Sequence, residues 1–137
     1  MTGSIPTSGQ LERTLSQRIL ALYRTQTGHR LERVSSQIVD RKVVIVLENS
    51  VTQPAQFLLG NGKEELAEEV HLNLNEAIQP QIRKLIEEVV GVAVIDLLSD
   101  AKLDTERTGF IALLAETPQL NTRSTASKVS SEARKVS

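Results

Sequence analysis

Glu68 and His71 stand three residues apart in a helical stretch, the spacing at which carboxylate bundles present a metal-binding pair. One copy of that pair offers only two ligands, and the other histidine, His29, is far away in the chain. A solvated helix face is therefore the preferred reading of His71, and no metal is expected. His29 follows Gly28, where a cationic side chain can meet the last carbonyls of a helix. Asp96, Asp100, Asp104 and Glu106 gather carboxylates in and after a β-rich run. They lack the alternation and the glycine of an EF-hand loop, so a solvated loop is preferred, with Asp100, Asp104 and Glu106 kept as a candidate ligand loop. Glu68 and Asp96 are the first carboxylates to mutate if the chain were an enzyme. No Walker A, G-x-G-x-x-G or G-x-S-x-G run occurs, and the absence of cysteine removes thiolate chemistry and disulfides. The chain is expected to have no catalytic residues and no cofactor, and so to work by binding.

Composition bounds what it binds. Tyr23, Phe57 and Phe110 are the only aromatic residues, too few for a base-stacking platform. The net charge of −1 hides an acidic body and a basic tail, where Arg123, Lys128, Arg134 and Lys135 face only Glu132 after Pro118. An acidic body excludes nucleic acid as the partner of the domain. No apolar run reaches the length needed to span a bilayer, and the opening residues lack the pattern of a signal peptide. A soluble cytoplasmic protein is expected, without direct membrane insertion.

The elements that must position these residues follow from periodicity. Residues 1–8 read as a disordered lead-in, 9–117 as one domain and 118–137 as a disordered basic tail. Leu11, Leu15, Ile19, Leu22 and Tyr23 repeat on one helix face from an N-cap at Ser8 to Gly28. Val34–Val39 and Lys42–Glu48, joined by Asp40-Arg41, predict an antiparallel hairpin. Its second strand is apolar on both faces, as a central strand would be. Asn49–Gly62 reads as a loop enclosing one short helix, with Phe57, Leu58 and Leu59 packed on the body. A long helix begins at Lys63, its apolar stripe Leu66, Val70, Leu74, Ala77 and Ile78 continuing as Ile82, Leu85, Ile86 and Val89. Its early glutamates Glu64, Glu65, Glu68 and Glu69 suit the positive end of the helix dipole. Pro80 predicts a kink or break near Gln79, and Gly91 closes the helix. Val92–Leu98 and Gly109–Ala115 read as two further strands, with Ser99–Thr108 as a long mobile loop between them.

The predicted fold is α+β: a mostly antiparallel four-stranded sheet built from two hairpins, with an N-terminal helix and a long Pro-kinked helix on one face. Such a sheet leaves apolar surface to bury, which predicts a homodimer or higher oligomer. Phe57, Leu58, Leu59, Phe110 and Ile111 are the candidate partner-binding residues.

Taken in order, these pieces resemble the MpsC-like family, named for a subunit of a Na+-translocating membrane-potential-generating system. The resemblance spans roughly Leu11 to Ala115. It is carried by the first helix, the strand Lys42-Val43-Val44-Ile45-Val46-Leu47-Glu48, the Val51-Thr52-Gln53-Pro54-Ala55 element and the helix ending Pro80-Gln81-Ile82-Arg83-Lys84-Leu85-Ile86-Glu87-Glu88-Val89-Val90-Gly91. Val92 to Asp100 and Asp104 to Phe110 complete it, with a G-V-x-V strand and an aspartate-bearing loop. The resemblance implies a non-enzymatic accessory or regulatory subunit that binds a protein partner. That partner would belong to a membrane ion or inorganic-carbon transport system, met at the inner face of the membrane. A homo-oligomeric sensor of a small ligand or ion is the alternative expectation, and a carboxylate-based enzyme a third.

Overall fold

A computed structural model describes residues 5–121. The first helix, α1 (Ser8–Thr27), is capped by Thr7, one residue before the predicted cap at Ser8. Thr7 Oγ1 accepts from Gln10 N at 3.1 Å, while Gln10 Oε1 accepts from Thr7 N at 2.9 Å, a reciprocal capping box. Gly28 ends the helix at φ 72°, a left-handed conformation that glycine adopts without a Cβ clash.

The sheet contains β1 (Arg33–Val39), β2 (Lys42–Glu48), β3 (Val94–Lys102) and β4 (Arg107–Leu114) in the order β1-β2-β4-β3, all antiparallel. The chain order is α-β-β-α-α-β-β, the predicted α+β fold. The second hairpin differs from expectation. Ser99–Lys102 and Arg107–Thr108 belong to paired strands, so the tip is only residues 103–106. The polar side chains of Asp100 and Lys102 are outward positions of an edge strand, and the long loop they suggested does not exist.

Two helices cover one face of the sheet. Of the predicted kink or break at Pro80 the break does not occur: α3 (Glu64–Val90) is one helix with Pro80 inside it. Pro80 lies on the exposed side, and the carbonyl it deprives of a donor belongs to exposed Glu76, where water can serve it. Ile78 and Ile82 on either side are both buried and hold the helix on the core. Leu15, Ile19 and Tyr23 of α1 meet Ile82, Leu85 and Ile86 of α3 over Val43, Ile45, Leu47, Phe110 and Leu114 of the central strands. Each such aliphatic side chain, fully buried, contributes roughly 1.5–3 kcal/mol.

The helices also cover backbone groups at the sheet edges. Glu12 of α1 accepts from Ile38 N on β1 at 2.8 Å, and Ser16 bonds Ser36 at 2.9 Å. Glu87 of α3 accepts from Val94 N at 2.8 Å, while Arg83 donates to the Val94 carbonyl. Both edge strands are thereby tied to the layer above. The Arg18–Glu88 pair at 2.7 Å joins α1 to α3, but both side chains are half exposed and its worth is small.

Among the described residues, none forms a layer on the opposite face of the sheet. Val44 and Val46 of β2 are only partly buried, and Leu98 and Ile111 are 49% and 39% exposed. Strand β2 is therefore apolar on both faces although the described residues cover only one of them. Past the last strand, buried Pro118 leads to Asn121, whose N–H donates to the Pro6 carbonyl at 2.8 Å. Residues 118–121 thus return to the start of α1 and are not tail, whereas the rest of the predicted tail and residues 1–4 lie outside the described residues.

Candidate functional site

The candidate site lies where the start of α3 meets the β3–β4 tip, beside α2 (Gln53–Gly60). Thr52 and Pro54 open α2, and Ala55 is its buried residue. The expectation that Phe57, Leu58 and Leu59 pack on the body fails. Phe57 is 71% exposed, Leu59 is 37% exposed and Leu58 is half-buried. Eight residues make two turns, and with the Ala55 side turned inward the Phe57 ring is carried into solvent.

Leu59 and Leu72 form the apolar floor of a groove of about 630 Å³. Its walls are Glu64, Glu65 and Glu68 from α3 and Asp100 and Asp104 from the second hairpin, with Lys102 the one basic side chain. The carboxylates at the start of α3 have a local reason to be there. Lys63 provides no side-chain cap, so Glu64 and Glu65 compensate the exposed N–H groups of the first turn. A second groove of about 500 Å³ shares Leu59, Leu103 and Asp104 and adds Glu106. Leu59, offered as a partner anchor, and the loop residues Asp100, Asp104 and Glu106, offered as a ligand site, therefore belong to one surface. Among the described residues, no group of three or more histidines, cysteines or carboxylates could hold a metal ion. The groove carboxylates spread along its walls, an arrangement suited to an extended basic surface.

Phe110 is not part of any docking surface: it is 1% exposed and packs beneath the helices. Consecutive strand residues point to opposite faces, so Phe110 and Ile111 could not both be available on one side. Ile111 lies on the open face. Asp96 is exposed there too, on β3 at the end of the strand away from the tip, and Glu68 belongs to the groove, so these two carboxylates form no pair.

His71 was misread from sequence. It is 4% exposed, on a buried stripe of α3 with Ala67, Asn75, Ile78 and Ile82. Around it lies an interior polar cluster made by Tyr23, Ser50, Thr52, Asn75 and Thr108 about a void of about 10 Å³. Ser50 Oγ and Thr108 Oγ1 are 2.8 Å apart, and Asn75 Nδ2 donates to Ser99 Oγ at 2.9 Å. His71 Nε2, Asn75 Oδ1 and Thr52 Oγ1 are buried without a protein partner. The void has room for about one water molecule, which could serve such atoms. Burial lowers the His71 pKa, because the cluster offers no carboxylate to stabilise the cation, and burial likewise pushes the Tyr23 phenol up.

His29 is buried as well, and its ring does not serve the end of α1. Its Nε2 donates to the Asn49 carbonyl at 2.5 Å, an acceptor that can only receive a proton. The signal for His71 was spacing: it follows Ala67 by four residues and precedes Asn75 by four.

No described helix is long and apolar enough to cross a membrane. No curated protein and no solved structure matches the chain. The family model described as the Na+-translocating membrane potential-generating system (MpsC) matches residues 7–116, from the N-cap of α1 to just beyond β4, and the chain belongs to that family.

Proposed function

We propose that this chain is a non-enzymatic accessory subunit that binds a protein partner belonging to a membrane ion or inorganic-carbon transport system. The observation that carries the reading is the Leu59–Leu72 floor with its rim of carboxylates, together with Phe57, 71% exposed on the same short helix that supplies Leu59. A free aromatic ring and exposed leucines are the composition from which binding hot spots are built. The acidic walls select a partner segment that is both basic and apolar.

Cytoplasmic loops of membrane proteins have that character, since they carry an excess of lysine and arginine. The family description names a membrane system, and the ion-conducting parts are, on this reading, other proteins. The subunit meets them at the cytoplasmic face through the groove, with Phe57 as the apolar anchor and Glu64, Glu65, Glu68, Asp100 and Asp104 steering approach.

Site-specific photocrosslinking tests this. A photoreactive residue at position 57 should join the chain to a membrane protein in intact cells, while the same residue at exposed position 13 on α1 should not. Equal crosslinking from both positions, or none from position 57, would remove the groove as the docking site.

A further inference from the structure

The face of the sheet that no described helix covers adjoins the groove, sharing Asp100 and Lys102 with it. Its outward residues form four cross-strand rows, read from the pairing register. These are Val39-Lys42-Leu113-Asp96, Gln37-Val44-Ile111-Leu98, Ser35-Val46-Gly109-Asp100 and Arg33-Glu48-Arg107-Lys102. The middle two rows hold Val44, Ile111, Leu98 and Val46 together with the one charge of Asp100, and the outer two carry the remaining charges.

Gly109 is the anomaly. A glycine inside a central strand weakens it, and such a residue is normally explained by backbone conformation or close packing. Neither applies here. Gly109 is not among the positive-φ glycines, and a Cβ added to it would meet only Ile45 O at 3.8 Å, an ordinary contact. Its missing side chain leaves a dent bordered by Val44, Val46, Leu98, Asp100 and Ile111.

We infer that this face is a twofold interface with a second copy of the chain, in which Ile111 of each copy fills the Gly109 dent of the other. A twofold axis lying across the strands, between the Ile111 and Gly109 rows, reverses the strand direction and exchanges the rows in pairs. Ile111 then sits over Gly109 of the other copy and Val44 over Val46. The same operation places Lys42 over Glu48 and Asp96 over Lys102, so that opposite charges meet at both ends. A twofold interface requires such reciprocity, residue i meeting j and j meeting i. The four strands, at about 4.8 Å spacing and about eight residues each, give a face of about 500 Å². Two copies bury about 1,000 Å², the lower bound of a specific interface.

Sedimentation of the full chain across a dilution series tests the assignment. The wild type should reach twice its 15.1 kDa mass. Asp96→Lys and Lys102→Asp, both at exposed positions, should each raise the dimer dissociation constant about tenfold, and the double swap should restore it. Gly109→Val separates interface from fold: it improves strand propensity and should leave the melting temperature of dilute protein equal or higher while weakening the dimer about tenfold or more. A wild type that stays monomeric overturns the inference, as does a dimer indifferent to both Gly109→Val and the single charge changes. A full chain that becomes dimeric only when residues 122–137 are removed also overturns it, assigning the face to that segment instead.

Discussion

Leu59 at the end of α2 and Asp104 at the tip of the second hairpin line the same groove, although neither their spacing in sequence nor their chemistry links them. The pairing turns two separate expectations, an apolar anchor and an acidic loop, into one amphipathic surface. An acidic wall contributes mainly to the rate and selectivity of encounter, and an apolar floor to retention.

The wall can be reversed without harming the fold. Glu68 and Asp104 are exposed, so Glu68→Lys combined with Asp104→Lys should change unfolding free energy by no more than about 0.5 kcal/mol per site. Partner recovery at low salt should fall, and the salt dependence of what remains should flatten. Urea melts and salt-titrated capture measure the two effects.

Pro80 is a removable defect. Ile78 and Ile82 keep α3 helical across it, so alanine there recovers a hydrogen bond to the Glu76 carbonyl and relieves the ring clash. The helix-interior penalty of proline is about 3 kcal/mol, less up to about 1 kcal/mol for the freedom alanine returns to the unfolded chain. Pro80→Ala should therefore stabilise the domain by about 2–3 kcal/mol. Thermal and urea denaturation check it.

His71 makes stability depend on pH with a definite sign. Its folded pKa lies below the unfolded value of about 6.5, so the unfolded chain takes up the proton more readily. Its contribution is complete above that unfolded value and is lost as pH falls from it through the folded pKa. His71→Leu should leave a shallower decline across this window than the wild type shows. Unfolding free energies measured from pH 7.5 downward would contradict the assignment if the two slopes coincided.

Ile45 tests the core over which the two helices meet. It is fully buried on β2, and Ile45→Ala should cost about 2–5 kcal/mol, with cooperative unfolding retained. Ser35→Ala, on an exposed outward position of edge strand β1, should stay within about 0.5 kcal/mol of wild type.

Much of the fold was legible because its signals are local. The run Lys42–Glu48 is β-branched and apolar, and β2 occupies the predicted residues. Leu11, Leu15, Ile19 and Tyr23 repeat cleanly, and all four are buried on α1. The site was less legible because its features depend on neighbours distant in sequence. Asp100 and Lys102 read as loop on polarity alone, whereas edge-strand residues that face water are free to be charged.

The first half of α3 shows the same effect. Its predicted stripe included Leu66 and Ala77, both exposed, while the buried stripe one position over holds Ala67, His71 and Asn75. Hydrophobicity marks a buried face only when that face is apolar, and here it carries a polar cluster. Nor could sequence tell that the second apolar side of β2 would be left bare. That depends on how many helices the chain supplies, not on the strand itself.

The proposed docking of a protein partner uses the groove and the exposed Phe57 of α2. Its most direct test is affinity capture of tagged full-length protein from gently solubilised cells, comparing wild type with Phe57→Asp and Leu59→Asp by quantitative mass spectrometry. The account predicts that membrane transport subunits recovered with the wild type fall at least tenfold with either variant, each variant remaining folded by circular dichroism. Undiminished recovery with both folded variants would contradict it.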